Sequence, residues 1–244
     1  MKYVKMTAAL AAVAVTIAGC ATPTNPELPF DKTQAGSPKV IGLVKPSIPD
    51  RASSPIPVAI PGGLAGLIVA GTLAVMKSNR DASLDQIAKT HSFSFAGQFN
   101  NSLVAALQVE GYTVKEIDLP RDGTKPITPE LIAKHPELGV DAVLDVTVSG
   151  YGYVAASGSD DAPYRPYVVT AVQLLPASGA KTTLMKDFVI YNPYNNPKFV
   201  VSIAPDPQYN FVHFSDIEAS PDNAVQGMLT AADQTGQAVA RLLQ

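Results

Sequence analysis

Tyr167-Val168-Val169-Thr170-Ala171-Val172-Gln173-Leu174-Leu175, then the triplet Ala177-Ser178-Gly179, then a run from Thr182 to Tyr191, is the stretch that decides the fold. Branched and aromatic side chains suit a pleated surface, and the small triplet lets the chain double back, so the pattern predicts a β-hairpin. A third strand precedes it. Ala142-Val143-Leu144-Asp145-Val146-Thr147-Val148 passes from continuous apolar to alternating apolar and polar, as a half-buried strand does. The alternation assigns Asp145, Thr147 and Ser149 to the wet side of the sheet, and the Gly, Ser and Asp of residues 150–163 predict a loop.

Working upstream, Lys39-Val40-Ile41-Gly42-Leu43-Val44 is a β-branched run that stops before Pro46 and predicts a first strand. Phe95, Phe99, Leu103 and Leu107 recur every four positions, with Val104 beside them, predicting one long helix over 81–110 ended by Gly111. A strand over 112–117 follows. Thr128-Pro129-Glu130 supplies a capping hydroxyl, a proline at the first helical position and an acid at the positive end, so a short helix begins there. Downstream, a loop over 192–197 and a short strand from Phe199 to Ile203 lead to Ser220-Pro221-Asp222. That triplet opens a last helix with Val225, Met228, Leu229, Ala232, Val239, Leu242 and Leu243 on one side. The expected architecture is α+β: a mostly antiparallel sheet with helices packed on one face, forming a single domain over 39–244.

One stretch of that domain is unusual. From Val58 to Met76 there is no charged side chain. Gly62, Gly66, Ala70 and Ala74 fall every fourth residue, a small-residue stripe that lets another backbone come close. A helix over 62–76 is roughly 22 Å long, short against a ~30 Å hydrocarbon core. Being apolar all round, it needs cover from the protein core, from a second subunit or from shallow membrane insertion.

The N-terminus says more about place. Lys2 and Lys5 precede an apolar run from Met6 to Ile17, closed by Ile17-Ala18-Gly19-Cys20. A charged start, a short apolar run and small residues before a cut are the layout of a secretory signal. The last four residues resemble the lipobox of bacterial lipoproteins. That resemblance covers residues 1–20 and implies a diacylglycerol on Cys20, removal of residues 1–19 and acylation, palmitate for example, of the new N-terminus. Three acyl chains hold firmly where one binds reversibly. Ala21 stands where such lipoproteins carry an inner-membrane retention aspartate, so the resemblance implies the outer membrane, with the body facing the periplasm. Residues 20–38, with Pro23, Pro26, Pro29 and Pro38, read as a flexible tether.

Composition sets what else to expect. The chain has 244 residues, enough for one ordinary domain plus tails. Its formal charge of −3 becomes −5 once Lys2 and Lys5 leave with the signal, which argues against nucleic acid as partner. Lipidation would consume the one cysteine, leaving no thiolate for a metal. His91, His135 and His213 lack ligand spacing; Gly150-Tyr151-Gly152 lacks the third glycine and the following helix of a dinucleotide loop; Asp160-Asp161 lacks a calcium-loop pattern; no G-x-S-x-G elbow occurs. The expectation is therefore no metal, no cofactor and no enzymatic activity. Tyr151, Tyr153 and Tyr167, in a wider group with Tyr164, Tyr191 and Tyr194, form a candidate partner surface, since tyrosine suits sites with one apolar and one wet end.

In element order, residues 38–244 are similar to the periplasmic lipoproteins related to curli secretion, Pel polysaccharide export and penicillin-binding-protein activation. Some of those form membrane-associated rings, so the resemblance implies a protein partner or homo-oligomer. The functional expectation is a non-catalytic envelope assembly or scaffold component that self-associates through the apolar helix. The alternative is a monomeric accessory module for transport or cell-wall machinery.

Overall fold

The computed structural model describes residues 22–23, 27–33, 36–55, 64–155, 163–192 and 201–244. In chain order the elements are β1 (Thr22–Pro23), β2 (Val40–Val44), α1 (Leu64–Thr90), α2 (Phe95–Val109), β3 (Thr113–Ile117), α3 (Pro129–Ile132), β4 (Ala142–Ala155), β5 (Tyr164–Pro176), β6 (Met185–Tyr191), β7 (Val201–Ile203), α4 (Phe214–Ala219) and α5 (Pro221–Arg241). The strands form one sheet of seven in the order β1-β7-β6-β5-β4-β2-β3.

The predicted hairpin is present, with Leu174 opposite Met185 and Val168 opposite Tyr191. The sheet is less antiparallel than expected. The β4–β5, β5–β6 and β1–β7 pairs are antiparallel, but β2 pairs in parallel with both β3 and β4, and β6 with β7. Parallel neighbours need long crossovers, and α1 with α2 supplies the one between β2 and β3. β4 also runs further than expected. Instead of turning into a loop at Gly150 it continues to Ala155, with a bulge between Val148 and Gly150. Residues 45–54 follow it there, Ser47 bridging to Thr147 and Ser53 to Gly152. The predicted tether is partly built into the body: Thr22–Pro23 pairs with β7, Leu28 bridges to Lys186, and Phe30 packs on the main core.

The helical region divides differently from its prediction. The described part of the apolar stretch, from Leu64, and the residues up to Thr90 form a single helix, and a separate one starts at Phe95. A Schellman turn makes the break. The Phe93 N–H donates to Ala88 O (2.9 Å), the Ser92 N–H to Lys89 O (3.2 Å), and Ser92 takes a positive φ of 51°. Ser94 then caps α2, its hydroxyl accepting from the Gly97 N–H. The predicted α2 stripe is buried in full at Phe95, Phe99, Leu103 and Leu107. Thr128 caps α3 as expected, accepting from the Leu131 N–H.

The main core lies between one sheet face and the helices α2 and α5, with Leu84 and Ile87 of α1 joining it. A second cluster sits on the other face at one end, where Leu119, Ile127 and Ile132 cover Val44, Val143 and Leu175. Segment 118–138 therefore covers the face that the alternation assigned to water. Asp145 is buried there at 2 % exposure, contrary to its predicted wet position.

Candidate functional site

β2 lies between two parallel partners, β3 on one side and β4 on the other. The connection from β2 to β3 runs through α1 and α2 on one face; the connection from β3 back past β2 to β4 runs through segment 118–138 on the other. A crevice opens beyond the carboxyl ends of β2 and β3, under the start of α2. Here that crevice has a volume of about 570 Å³ and is lined by Leu43, Lys45, Ile48, Asn100, Glu116 and Asp118, with Ala96 and Gly97 from the first turn of α2.

Its lining is more apolar than polar, with Leu43, Pro46, Ile48 and Ile117 beside Asn100 and charges of both signs at Lys45, Glu116 and Asp118. The Asn100 side-chain amide donates to Glu116 (3.1 Å), fixing both at the rim. Ser94 already occupies the Gly97 N–H, so the cap leaves little of the helix terminus for an anion. Lys45, Glu116 and Asp118 are exposed. This arrangement can hold a small polar group or a peptide segment. Among the described residues it brings together no nucleophile with a base. Among the described residues no group of three His, Cys, Asp or Glu side chains could hold a metal. His91 pairs with Asp222 (3.0 Å), His135 with Glu137 (3.1 Å), and His213 precedes α4, so the three histidines serve separate local contacts.

The predicted tyrosine surface is corrected by burial. Tyr151, Tyr153 and Tyr167 are 5 %, 0 % and 6 % exposed, so none can meet a partner with its ring. Tyr151 stacks on Phe95 at 4.1 Å between centroids. The Tyr153 hydroxyl donates to Ala224 O (3.1 Å) and its ring meets Phe211 edge-on. The Tyr167 hydroxyl bonds to Ser53. Burial pushes the Tyr151 phenol up to about 12, with Asp85 and Asp50 adding to it. Tyr167 is likewise pushed up to about 12 by burial, against the opposing Ser53 bond, and burial raises Tyr153 further still. These are structural phenols, locked neutral. Tyr153 also explains Gly227: a Cβ there would stand 2.2 Å from its hydroxyl.

Gly66, Ala70 and Ala74 lie in α1; Gly62, Cys20, Tyr194, Asp160 and Asp161 fall outside the described residues. Among the described residues no helix is long and apolar enough to cross a membrane. The crevice escaped the sequence reading because three distant segments build it. The strand–helix–strand order of residues 40–117 is its only advance signal, through the parallel crossover it implies.

No family model and no curated protein matches the sequence. Among solved structures the chain is similar to XCC0632 from Xanthomonas campestris, a DUF330 protein, at 12% identity and a TM-score of 0.40, covering 91% of this chain and 88% of that one. It is also similar to lipoprotein GNA1162 from Neisseria meningitidis, at 16% identity and a TM-score of 0.28, covering 66% of this chain and 84% of that one. Neither overlap is close enough to transfer a property.

Proposed function

We propose that the protein is a non-catalytic lipoprotein of the bacterial envelope, fixed by acyl chains on Cys20 to the inner leaflet of the outer membrane. Its body would serve as an assembly or scaffold component on the periplasmic side. The observation that carries this reading is the motif Ile17-Ala18-Gly19-Cys20, with Ala21 alone between it and the first sheet residue, Thr22. An anchor joined so closely to a strand would hold the body at the membrane surface instead of on a loose leash. Mass spectrometry of the mature protein tests it. Three acyl chains on Cys20 and loss of residues 1–19 are expected, with release of Cys20→Ala from the membrane fraction. Residues 1–19 still attached, or a bare Cys20, would overturn it.

The crevice at the end of β2 supports a second reading, a monomeric accessory module that binds a polar ligand or peptide there. Crosslinking in intact membranes separates the two: a ladder of self-linked copies supports the scaffold, and monomer alone supports the module.

A further inference from the structure

We infer that the first half of α1 lies in the surface of the same bilayer that holds the acyl chains, so that the protein meets its membrane at two points. This rests on the anchoring at Cys20 proposed above. The observation behind it is that both features belong to one end of the sheet.

The anchor's end follows from register. In β1, Thr22 faces Ser202 and Pro23 faces Val201, and Leu28 then bridges to Lys186. Ser202 stands beside Ile190, which faces Val169 of β5, whereas Lys186 faces Gln173. The chain therefore enters β1 from the side of the β4–β5 tip, where Ala155 faces Tyr164, and travels away from it. Cys20 precedes Thr22, and two residues of chain reach at most roughly 7 Å.

α1 arrives from the same end. The Arg80 guanidinium lies 5.2 Å over the Tyr164 ring and 5.5 Å over that of Phe214. Asp81 accepts the Ser54 N–H (2.6 Å), one residue past the bridge from Ser53 to Gly152. Beyond its other end and the turn at Ser92, Phe95 stacks on Tyr151, which faces Val168 and lies further from the tip. The helix thus runs from the tip inward. Its earlier turns, before Lys77, extend from Arg80 the other way, roughly 24 Å along the axis between residues 64 and 80.

Those turns belong to the stretch that lacks any charged residue. Thirteen helical residues cover roughly 20 Å, too short to span a ~30 Å hydrocarbon layer, so their contact with the bilayer is a shallow one. A second copy of the chain could cover the same face. Lipid is favoured because the anchor holds a bilayer at this end at all times, which makes the contact an intramolecular one with a high effective concentration.

The test uses the full, lipidated chain. Acylation blocks Cys20, so Ile68→Cys, Val75→Cys and the control Val109→Cys each offer one thiol for an environment-sensitive fluorophore. Val109 is 84 % exposed and ends α2 at the opposite end of the body. The labelled proteins are placed in phosphatidylcholine vesicles with and without doxyl-labelled acyl chains. Doxyl lipid should remove at least half of the emission at positions 68 and 75 and leave position 109 unchanged. Vesicle-bound protein unquenched at 68 and 75 overturns the inference, as does quenching that follows protein density instead of doxyl lipid, which would mark a contact between copies. Failure of the anchor is recognised separately by mass, as a bare Cys20 on protein that stays off the vesicles, and it sinks both readings.

Discussion

Arg121 and Asp145 form an ion pair almost wholly shielded from water, with side-chain exposures of 11 % and 2 %. It joins segment 118–138 to the centre of the sheet. Asp145 also accepts the Ile127 N–H and the Gln173 amide, each at 2.8 Å, while Arg121 donates to Lys125 O (3.1 Å) and to the Thr147 hydroxyl (3.3 Å). A charge taken out of water is tolerable only when paired and hydrogen-bonded in this way.

Asp145→Ala should therefore destabilise the protein by about 3–5 kcal/mol, since it strands the guanidinium and the Ile127 amide. The double change Arg121→Met with Asp145→Leu should recover much of that loss, because no buried charge is left behind. Urea unfolding measures both. A single variant within about 1 kcal/mol of the parent would show that water reaches the pair.

Gly152 holds the second junction. Its φ is +138°, and a Cβ there would stand 2.2 Å from Ser53 O. Gly152→Ala should then push residues 45–54 off β4 and free the Ser53–Tyr167 hydrogen bond, at a cost of about 2–4 kcal/mol. A calorimetric midpoint equal to the parent's would contradict that packing.

Much of this fold was legible because its signals are local. The 40–44 run, the hairpin, the Phe95-to-Leu107 stripe and the Thr128 cap each read correctly from near neighbours. What escaped depends on distant residues. Nothing around Ser92 announces a left-handed serine, so the second half of α1 read as continuous with α2, and the apolar stretch seemed to end where its charges begin. Gly150-Tyr151-Gly152 looked like a loop until residues 45–54 lay against it. Tyr151, Tyr153 and Tyr167 looked amphipathic and surface-bound, yet their neighbours and hydroxyl partners sit at Phe95, Ala224 and Ser53. The polar pattern of Asp145 and Thr147 was real, but it marked a buried network and not a wet face.

The crevice residues should behave in the opposite way to the junctions. Lys45 is exposed and Asn100 makes one half-exposed bond to Glu116. Lys45→Glu and Asn100→Ala should each shift stability by no more than about 0.5 kcal/mol. If the crevice binds a ligand, these variants lose envelope function with the melting curve intact. A full rescue of a deletion strain by both would remove the crevice from consideration.

Acid should weaken the fold through carboxylates whose ionised form it favours. The N–H groups of Val40 and Lys39 hold Asp141 below its ordinary value, a bond from Lys89 does the same for Asp85, and the Glu137 backbone with His135 does so for Glu137. Each contributes stability that is fully present above its unfolded value, about 4, and is lost as pH falls through its lower folded value. Asp187 has the opposite sign. Burial raises it, against the opposing Phe188 and Glu27 N–H groups, so its contribution is present below the unfolded value and lost as pH rises through the folded one. Asp187→Asn keeps an oxygen for the Phe188 N–H (2.7 Å to the present Oδ1) and removes the buried charge. It should raise the melting midpoint at pH 7, with the gain shrinking toward pH 4. A midpoint lowered at pH 7 would mean that the ionised Asp187 has a partner that stabilises it.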